Sequence, residues 1–326
     1  MGYNESMKKK WLSQLKQKFP HLDFQTNFSL AKYTYFQIGG PAEVFVKAEF
    51  VQDIQDLVAF SKKNQIPLTV IGAGSNIVVA DEGIKGLVLS PINKELEQLE
   101  SEKNKMEFRA GAGLMTTQLA RKTSKAGATG LESFVGVPGT LGGAVYNNSH
   151  YQGALIGNYI TQVQVVDFDG NLSWVPAEEC NFAYEQSRFQ TSNEVIVQVD
   201  FLLEKGNVEE AREKMKVASK YRAETQPTQP SCGCVFQNVK NNDHLRELFP
   251  QFAGKEFVSA GFLIDQAGLK GLRQGGVEVS DKHAAFLINK GEGTATDVKK
   301  ITKMIKDKIF AKFKVKLEEE VFYLGD

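Results

Sequence analysis

The amino-acid sequence predicts an α+β fold with more than one domain. Stretches with helical spacing of apolar residues alternate with short β-type runs, and no stretch repeats at a fixed period. The 326 residues exceed the usual size of a single domain. Asp169-Gly170 lies between two alternating runs, 161–168 and 171–175, which is typical of an antiparallel hairpin because glycine allows the positive φ of a tight turn.

Five segments are predicted to be helical because their apolar residues recur every three or four positions. In the first, Trp11, Leu15 and Phe19 follow this spacing, and Pro20 ends the helix. The five segments are 1–20, 51–63, 116–126, 207–224 and 294–313.

Apart from the hairpin, strands are predicted at 42–48, 68–71, 77–80, 86–89, 105–110, 194–203, 234–237, 284–288 and 317–324. Within 194–203, strict alternation predicts that one face carries Val195, Val197, Val199, Phe201 and Leu203. The order of elements predicts an N-terminal helix (1–20), two subdomains (21–90 and 91–205) and a third domain (206–326).

The composition is that of a soluble globular protein. Basic and acidic residues both number 39, so nothing favours a nucleic-acid partner. The apolar runs are too short to cross a membrane, and the lysines at 8–10 precede no apolar core of the kind that signal peptides have. Three cysteines (Cys180, Cys232 and Cys234) are too few for a disulfide framework. We therefore expect a cytoplasmic protein. We also expect a monomer, although no pattern in the sequence indicates the oligomeric state.

Two glycine-rich segments carry the first functional signal. One is Gly72-Ala73-Gly74-Ser75-Asn76, and the other is Gly136-Val137-Pro138-Gly139-Thr140-Leu141-Gly142-Gly143-Ala144. Small residues allow backbone N–H groups to approach an anion. Either segment alone could be a tight turn, but two in one chain favour a diphosphate ligand. Neither has the spacing of a P-loop or of the Rossmann dinucleotide motif.

Together with Tyr35-Phe36-Gln37-Ile38-Gly39-Gly40, these segments resemble the UDP-N-acetylenolpyruvoylglucosamine reductase family, whose FAD-binding fold is of the vanillyl-alcohol-oxidase type. The similarity runs from about residue 30 to the C-terminus, with further matches at 182–184, 267–271, 275–276, 279–284 and 317–321. The resemblance implies a two-subdomain FAD-binding fold of the PCMH type, followed by a C-terminal α+β substrate-binding domain.

The resemblance also assigns ligands to residues. It implies non-covalent FAD bound by Gly72, Ala73, Gly74, Ser75, Asn76, Gly136, Val137, Pro138, Gly139, Thr140, Gly142, Gly143 and Ala144. It implies NADPH as co-substrate and a UDP-sugar substrate bound by Tyr184, Asn238, Lys270 and His283. A metal site is not expected, because zinc needs about four ligands and the cysteines and histidines are scattered.

Cys234 is the proton donor that the resemblance implies. A thiol has an ordinary pKa of about 8.5, so it is a far stronger acid than an alcohol and is still mostly protonated near pH 7. Cys232 would point to the same face of a regular strand and is therefore a competing candidate. The structural alternative for either residue is a small buried cysteine.

Glu320 is the second catalytic residue that the resemblance implies. If 317–324 is extended, Glu318, Glu320 and Phe322 share one face, which predicts a partly buried carboxyl at Glu320. The structural alternative is a solvated cluster of three acidic residues, 318–320.

The sequence departs from the family pattern at two places. The usual Tyr-Arg-x-Ser, whose arginine binds the substrate carboxylate, reads Tyr184-Glu185-Gln186-Ser187. Arg188 could replace that arginine as the third catalytic residue if this segment is helical. The Ala-Gly wording that often follows the second glycine-rich segment is replaced by Asn147-Asn148-Ser149-His150-Tyr151. His150 and His283 each have a structural alternative, as a surface or core histidine.

The implied activity is NADPH-dependent, FAD-mediated reduction of an enolpyruvyl UDP-sugar to its lactyl ether in peptidoglycan precursor synthesis. Glu320 and a cation would stabilise the developing negative charge, and Cys234 would protonate carbon. Two alternatives stay open. One is another flavin oxidoreductase of this fold, such as a sugar or alcohol oxidase, and the other is a family member that binds FAD without activity.

Overall fold

The computed structural model describes residues 5–99, 103–151 and 153–325. Its α-helices are α1 (Glu5–Lys18), α2 (Val51–Lys63), α3 (Thr116–Lys125), α4 (Leu141–Tyr146), α5 (Val208–Thr225), α6 (Asp243–Leu248), α7 (Ala260–Gln266) and α8 (Ala295–Phe313). Short 3₁₀-helices span Glu132–Gly136, Ile156–Tyr159, Ala177–Glu179, Arg188–Gln190 and Pro250–Phe252.

The strands in the first half of the chain are β1 (Gln25–Ser29), β2 (Pro41–Ala48), β3 (Leu68–Val70), β4 (Ile77–Val79), β5 (Ile84–Pro91), β6 (Leu96–Gln98), β7 (Lys105–Gly111), β8 (Ala128–Thr129), β9 (His150–Tyr151) and β10 (Ala154–Leu155). Those in the second half are β11 (Ile160–Val166), β12 (Leu172–Pro176), β13 (Val195–Lys205), β14 (Ser231–Cys234), β15 (Val239–Lys240), β16 (Phe257–Val258), β17 (Arg273–Gln274), β18 (Val277–Val279), β19 (Phe286–Asn289) and β20 (Phe322–Leu324).

The five predicted helices are confirmed as α1, α2, α3, α5 and α8, although residues 1–4 of the first prediction lie outside the described residues. The predicted hairpin is confirmed by antiparallel β11 and β12, with Gly170 at φ 88° in its turn. The helices α4, α6 and α7 span six or seven residues each, so they are too short to show a helical period in the sequence.

The chain forms two compact units, each made of separate segments. The first unit consists of Met1–Phe28, Ala42–Ala73 and Lys85–Tyr221, and the second of Ser29–Pro41, Gly74–Ile84 and Arg222–Asp326. The domain boundaries predicted near residues 20, 90 and 205 stay predictions.

The described strands of the first unit form two larger sheets, beside the small antiparallel pair of β9 with β10. One has the strand order β1-β2-β5-β3, and the other has the order β12-β11-β13-β7-β6 with β8 beside β13. The side chains of Leu15, Ile54 and Leu57 belong to one hydrophobic core, and Leu141 and Phe201 belong to another. The apolar faces of α1, α2 and α4 are therefore buried on the strands of this unit.

A β-bulge in β13 changes which residues share a face. The pairing of β11 with β13 steps from Gln164↔Gln198 to Val165↔Ile196, which leaves Val197 as an extra residue. Val195 and Val197 pack in the core with α2, whereas Val199, Phe201 and Leu203 pack in the other core. The prediction of a single apolar face along 194–203 is therefore wrong, because the bulge reverses the alternation.

The second unit contains an antiparallel sheet of order β14-β19-β18-β17, a β15-β16 pair, and a parallel pair of β20 with β4. Its core includes Leu263 of α7, Leu287 of β19 and Ile305 of α8. Among the described residues of the two units, no helix has the length and apolarity needed to cross a membrane.

The start of α8 is held by the carboxylate of Asp81. Asp81 accepts hydrogen bonds from the N–H groups of Ala295 (2.7 Å) and Thr296 (3.0 Å) and from Thr296 Oγ1 (2.7 Å). Burial by itself would raise the pKa of Asp81, but these hydrogen bonds hold it below the usual value of 3.8. The ionised carboxylate therefore stabilises the N-terminus of α8.

Asp81→Asn should lower the free energy of unfolding at pH 7 by about 0.5 kcal/mol, a modest value because the side chain is exposed. The pKa is depressed in the folded protein, so the stabilisation is present above the unfolded pKa and is lost as pH falls through the folded pKa. Urea unfolding of both proteins at pH 7 and near pH 3 checks this. Asp307→Asn, which removes an exposed carboxylate in the middle of α8, is the control. A difference between wild type and Asp81→Asn that is as large near pH 3 as at pH 7 would contradict the prediction.

Candidate active site

The two glycine-rich segments meet within the first unit, at Gly72 and Thr140. A Cβ atom added to Gly72 would lie 2.3 Å from Thr140 Oγ1, so glycine is required for this approach. Thr140 precedes α4, and its Oγ1 accepts a hydrogen bond from the N–H of Gly143 at 3.5 Å. The missing side chain at Gly72 therefore allows the backbone of the first glycine-rich segment to lie directly against Thr140, at the start of α4.

Peptide orientation in both segments fits an anionic diphosphate. The N–H of Thr116 donates to the carbonyl of Gly139 at 3.1 Å, and within the second unit the N–H of Tyr35 donates to the carbonyl of Gly74 at 3.1 Å. A trans peptide directs its N–H opposite to its C=O, so the N–H groups of Thr140 and Ser75 point away from these partners. Gly139 and Gly74 have φ of 120° and 70°, which side chains disfavour. The residues of each segment therefore fit the diphosphate of FAD.

In the second unit, a bulge separates the two cysteines of β14. The register between β14 and β19 shifts between Ser231 and Cys234, and Gly233 has φ 85°. The predicted shared face is therefore wrong: Cys232 is 1% exposed, and Cys234 is partly exposed. Burial raises the pKa of the Cys232 thiol well above its usual value, which disfavours formation of its thiolate.

Glu320 lies beside the segment that continues from β14. Its N–H donates to the carbonyl of Val235 at 2.8 Å, and Phe236 forms an antiparallel bridge with Glu319. The predicted strand 317–324 is shorter than expected, because regular pairing begins only at Phe322. Glu320 is partly buried, as predicted, and Glu318 is exposed. The backbone therefore brings Glu320 next to the residue that follows Cys234.

The acidic run 318–320 is not a uniformly solvated cluster. Glu319 forms an ion pair with Lys306 of α8 and accepts a hydrogen bond from Tyr323 Oη at 2.5 Å. The side chains of Glu319 and Glu320 leave opposite sides of an extended backbone. Glu319 therefore anchors this segment to α8, and alternation along an extended backbone favours the opposite side for Glu320.

Three of the predicted substrate-binding residues lie around α7 in the second unit. Asn238 Oδ1 accepts the N–H of Ala260 at 3.2 Å, and a Cβ on Gly261 would lie 3.2 Å from the ring of His283. The His283 ring packs against Phe286, the residue paired with Cys234 in the sheet (centroids 4.9 Å apart). Lys270 forms an ion pair with an aspartate of α7 (2.9 Å).

The surroundings of the His283 ring disfavour its protonated form. Burial lowers its pKa, and the positive charges of Lys270 and Arg222 lower it further. Its Nδ1 accepts a hydrogen bond from the N–H of Ala285 at 3.3 Å. The ring can therefore donate only through Nε2.

In the first unit, Tyr184 and Glu185 form the corner of a tight turn. Ala183 and Gln186 exchange two backbone hydrogen bonds (3.1 and 3.2 Å), and Glu185 has φ 55°. The segment before Arg188 is thus a tight turn and not a helix. The substitute role of Arg188 is conditional on a helix here, and that expected helix is wrong.

The guanidinium of Arg188 makes two hydrogen bonds to the carboxylate of Glu194, at 2.9 and 3.1 Å. This ion pair uses the two parallel donors with which an arginine binds a carboxylate in bidentate fashion. The catalytic role of Arg188 stays a prediction, and the ion pair gives the side chain a structural role.

The two departures from the family pattern contact each other. Glu185 is 3% exposed, and its Oε1 lies 3.7 Å from Nδ1 of His150. The His150 ring also packs against Tyr184 with centroids 4.8 Å apart, and burial lowers the pKa of His150. If Glu185 is ionised, the pair has a net charge of zero with His150 protonated and of minus one with His150 neutral. The pair therefore contributes no net positive charge at this position. Both departures were visible in the sequence, but nothing in it indicated that they touch.

No group of three or more side chains of the types that bind metals occurs among residues 5–99, 103–151 and 153–325.

Comparisons with known proteins agree along nearly the whole chain. Residues 42–175 match the model of an FAD-binding domain, and residues 226–324 match that of the UDP-N-acetylenolpyruvoylglucosamine reductase C-terminal domain. The UDP-N-acetylenolpyruvoylglucosamine reductase of Latilactobacillus sakei is 36% identical over 93% of this chain and 94% of its own, and that of Prochlorococcus marinus is 33% identical over 93% and 99%. The chain belongs to the UDP-N-acetylenolpyruvoylglucosamine reductase family.

A solved structure of this reductase family confirms the predicted fold class. The enzyme from Thermus caldophilus superposes with a TM-score of 0.75 and 27% identity, over 93% of this chain and 99% of that one. The FAD-binding fold and the C-terminal α+β domain predicted from the sequence are therefore correct.

In this family member, a thiol reagent should label Cys234 well before Cys232 and Cys180. Both of the other cysteines are fully buried, and burial raises the pKa of Cys180 to about 12, so little thiolate forms. Mass spectrometry of labelled peptides from the native protein measures the order. Protein unfolded in guanidinium, in which all three should react alike, is the control. Early labelling of Cys232 would show that the bulge does not separate the two thiols.

His150 and Glu185 should be energetically coupled. A double-mutant cycle with His150→Ala and Glu185→Gln, followed by urea unfolding, should give a coupling energy of about 1–2 kcal/mol, because removal of one partner leaves the other buried without it. The exposed ion pair of Lys303 with Asp307 is the control and should give about 0.3 kcal/mol. Additive effects of the two substitutions at 150 and 185 would mean that the 3.7 Å contact contributes nothing.

Proposed function

We propose that the chain catalyses NADPH-dependent, FAD-mediated reduction of UDP-N-acetylglucosamine enolpyruvate to UDP-N-acetylmuramate in peptidoglycan precursor synthesis. The observation that carries the proposal is the arrangement in the second unit, where the backbone of Glu320 is hydrogen-bonded to the residue after a partly exposed Cys234. The relatives of 33–36% identity that carry the name of this reductase support the same activity.

The two glycine-rich segments, 72–76 and 136–144, are proposed to hold FAD through backbone N–H groups. The chemistry that bound FAD supplies is hydride transfer, from NADPH to the terminal carbon of the enolpyruvyl double bond. The protein contributes binding, orientation and the final proton.

Cys234 is proposed to supply that proton. After hydride reaches the terminal carbon, the electron pair of the double bond moves to the adjacent carbon and its carboxylate. Sγ–H of Cys234 then protonates the adjacent carbon, which forms the C–H bond and leaves a thiolate that solvent reprotonates. The partial exposure of Cys234 allows both contact with a substrate and this return of the proton.

Glu320 is proposed to stabilise the charge that develops on the substrate carboxylate, and Asn238, Lys270 and His283 to bind the UDP-sugar. A group fixed before the reaction contributes most, since it does not have to reorganise as charge develops. Tyr184 of the first unit is also proposed to bind substrate. The finer proposals are that the protein is a monomer in the cytoplasm, with no nucleic-acid or membrane partner.

Cys234→Ala should bind FAD normally and lose turnover by about 10²–10⁴-fold, the usual contribution of a positioned general acid. The measurement is NADPH consumption with and without the enolpyruvyl UDP-sugar, after the flavin spectrum has been recorded. Cys232→Ala, which changes a buried thiol two residues away, is the matched control and should keep its turnover.

Several results would contradict the proposal. A Cys234→Ala protein that works at full speed would remove the assigned proton donor. Oxygen uptake without the sugar would indicate an oxidase of the same fold, and flavin binding without sugar-dependent NADPH consumption would indicate an inactive family member. Protein that stays colourless after incubation with FAD would exclude every flavin-dependent function.

A further inference from the structure

Asn76, at the end of the first glycine-rich segment, holds the backbone of Glu320. Its side-chain Nδ2 donates to the carbonyl of Glu320 at 3.2 Å, and its own carbonyl accepts the N–H of Phe322 at 3.1 Å. The residue after Asn76, Ile77, then pairs with Phe322 where β4 and β20 run parallel. All of these contacts lie within the second unit.

The segment held by Asn76 has no regular strand pairing of its own. Residue 319 forms an isolated bridge, Val321 lies in a bend, and the strand begins at Phe322. With the N–H of Glu320 bound to Val235 and its C=O bound to Asn76, both peptide groups that flank Glu320 are held. The hydrogen bond from the Asn76 side chain thus takes the place of the backbone hydrogen bond that a paired strand would provide, next to the bend at Val321.

Neighbouring contacts restrict how the segment can move if Asn76 is lost. Glu319 is anchored to α8 by Lys306 and to Tyr323 within the same segment. If the Asn76 hydrogen bond is lost, the backbone can therefore rotate mainly at Glu320 and Val321. Rotation at these two residues changes the direction of the Glu320 carboxyl. Displacing a reacting group by about 1 Å can slow a reaction about 10²-fold.

We propose that Asn76 is a positioning residue for Glu320, and that its side-chain amide serves this carboxyl group instead of the cofactor. The inference rests on the proposed function of Glu320. It predicts a defect confined to the step in which the sugar is reduced, because Glu320 has no part in hydride transfer from NADPH.

The two half-reactions separate these roles. Asn76→Ala and Asn76→Asp, with FAD saturating, should be reduced by NADPH at the wild-type rate, measured by stopped-flow loss of flavin absorbance. Re-oxidation by the enolpyruvyl UDP-sugar should be slower by about 10–100-fold. In a Glu320→Gln background, Asn76→Ala should cause no further loss, since the group it positions is already changed.

A measurement without FAD tests the contact directly. In FAD-free protein, hydrogen exchange of a peptide covering 316–325 should be faster in Asn76→Ala than in wild type, because the segment has lost its side-chain anchor. Asn241→Ala is the matched control. Asn241 is likewise an asparagine of the second unit whose Nδ2 donates to backbone carbonyls, here those of Phe252 and Lys255 (2.8 and 2.9 Å), and it is more deeply buried than Asn76. That variant should be less stable but keep both half-reactions and the exchange of 316–325.

The outcomes distinguish the inference from the proposed function. Normal sugar reduction by Asn76→Ala, equal losses in both half-reactions, further loss in the double mutant or unchanged exchange at 316–325 would each overturn the role of Asn76. Normal sugar reduction by Glu320→Gln would overturn the proposed function of Glu320 itself.

Discussion

The second unit depends on the hydrogen bond from the N–H of Glu320 to the carbonyl of Val235, 2.8 Å long. It joins the last segment of the chain to the segment that follows β14. Together with the bridge between Phe236 and Glu319, it fixes the separation between the backbones that carry the thiol of Cys234 and the carboxyl of Glu320. Catalysis by positioned groups requires such a separation to be set before substrate arrives.

The bulge at Gly233 is the second constraint on the same arrangement. In a regular strand, Cys232 and Cys234 would occupy the same face, and both thiols would be buried or both exposed. Because of the extra residue, the thiol of Cys232 lies in the core and that of Cys234 is partly exposed. Bulges are common beside active sites because they redirect a side chain without breaking the sheet. The Cys-Gly-Cys sequence is thereby explained: glycine allows the positive φ of the bulge, and the two cysteines have different environments.

The five longer helices could be predicted from the sequence, but the short helices and the irregular strands could not. The apolar residues of α8 recur with a helical period along nineteen consecutive residues. Such a pattern can be recognised without knowing which other elements the helix contacts. The bulges at Val197 and Gly233 depend on pairing with strands distant in the chain, so alternation alone predicted the wrong faces there. The segment 317–321 was predicted as strand because extended and ladder-paired residues have the same pattern. Its shape depends on Asn76 and Val235, which no local pattern relates to Glu320.

The contact between His150 and Glu185 indicates that the departures from the family pattern form one local change. Replacing an arginine by a buried glutamate reverses a charge, and an uncompensated buried carboxylate would destabilise the first unit strongly. His150, in the other departing segment, lies 3.7 Å from that carboxylate, and Arg188 is engaged with Glu194 instead. The two departures thus lie together within the first unit, whereas the contacts described for Cys234, Glu320 and Asn238 lie within the second unit. The replacement at 185 therefore changes the charge of the turn 183–186, and the partner that its carboxyl contacts comes from the other segment that departs from the family pattern.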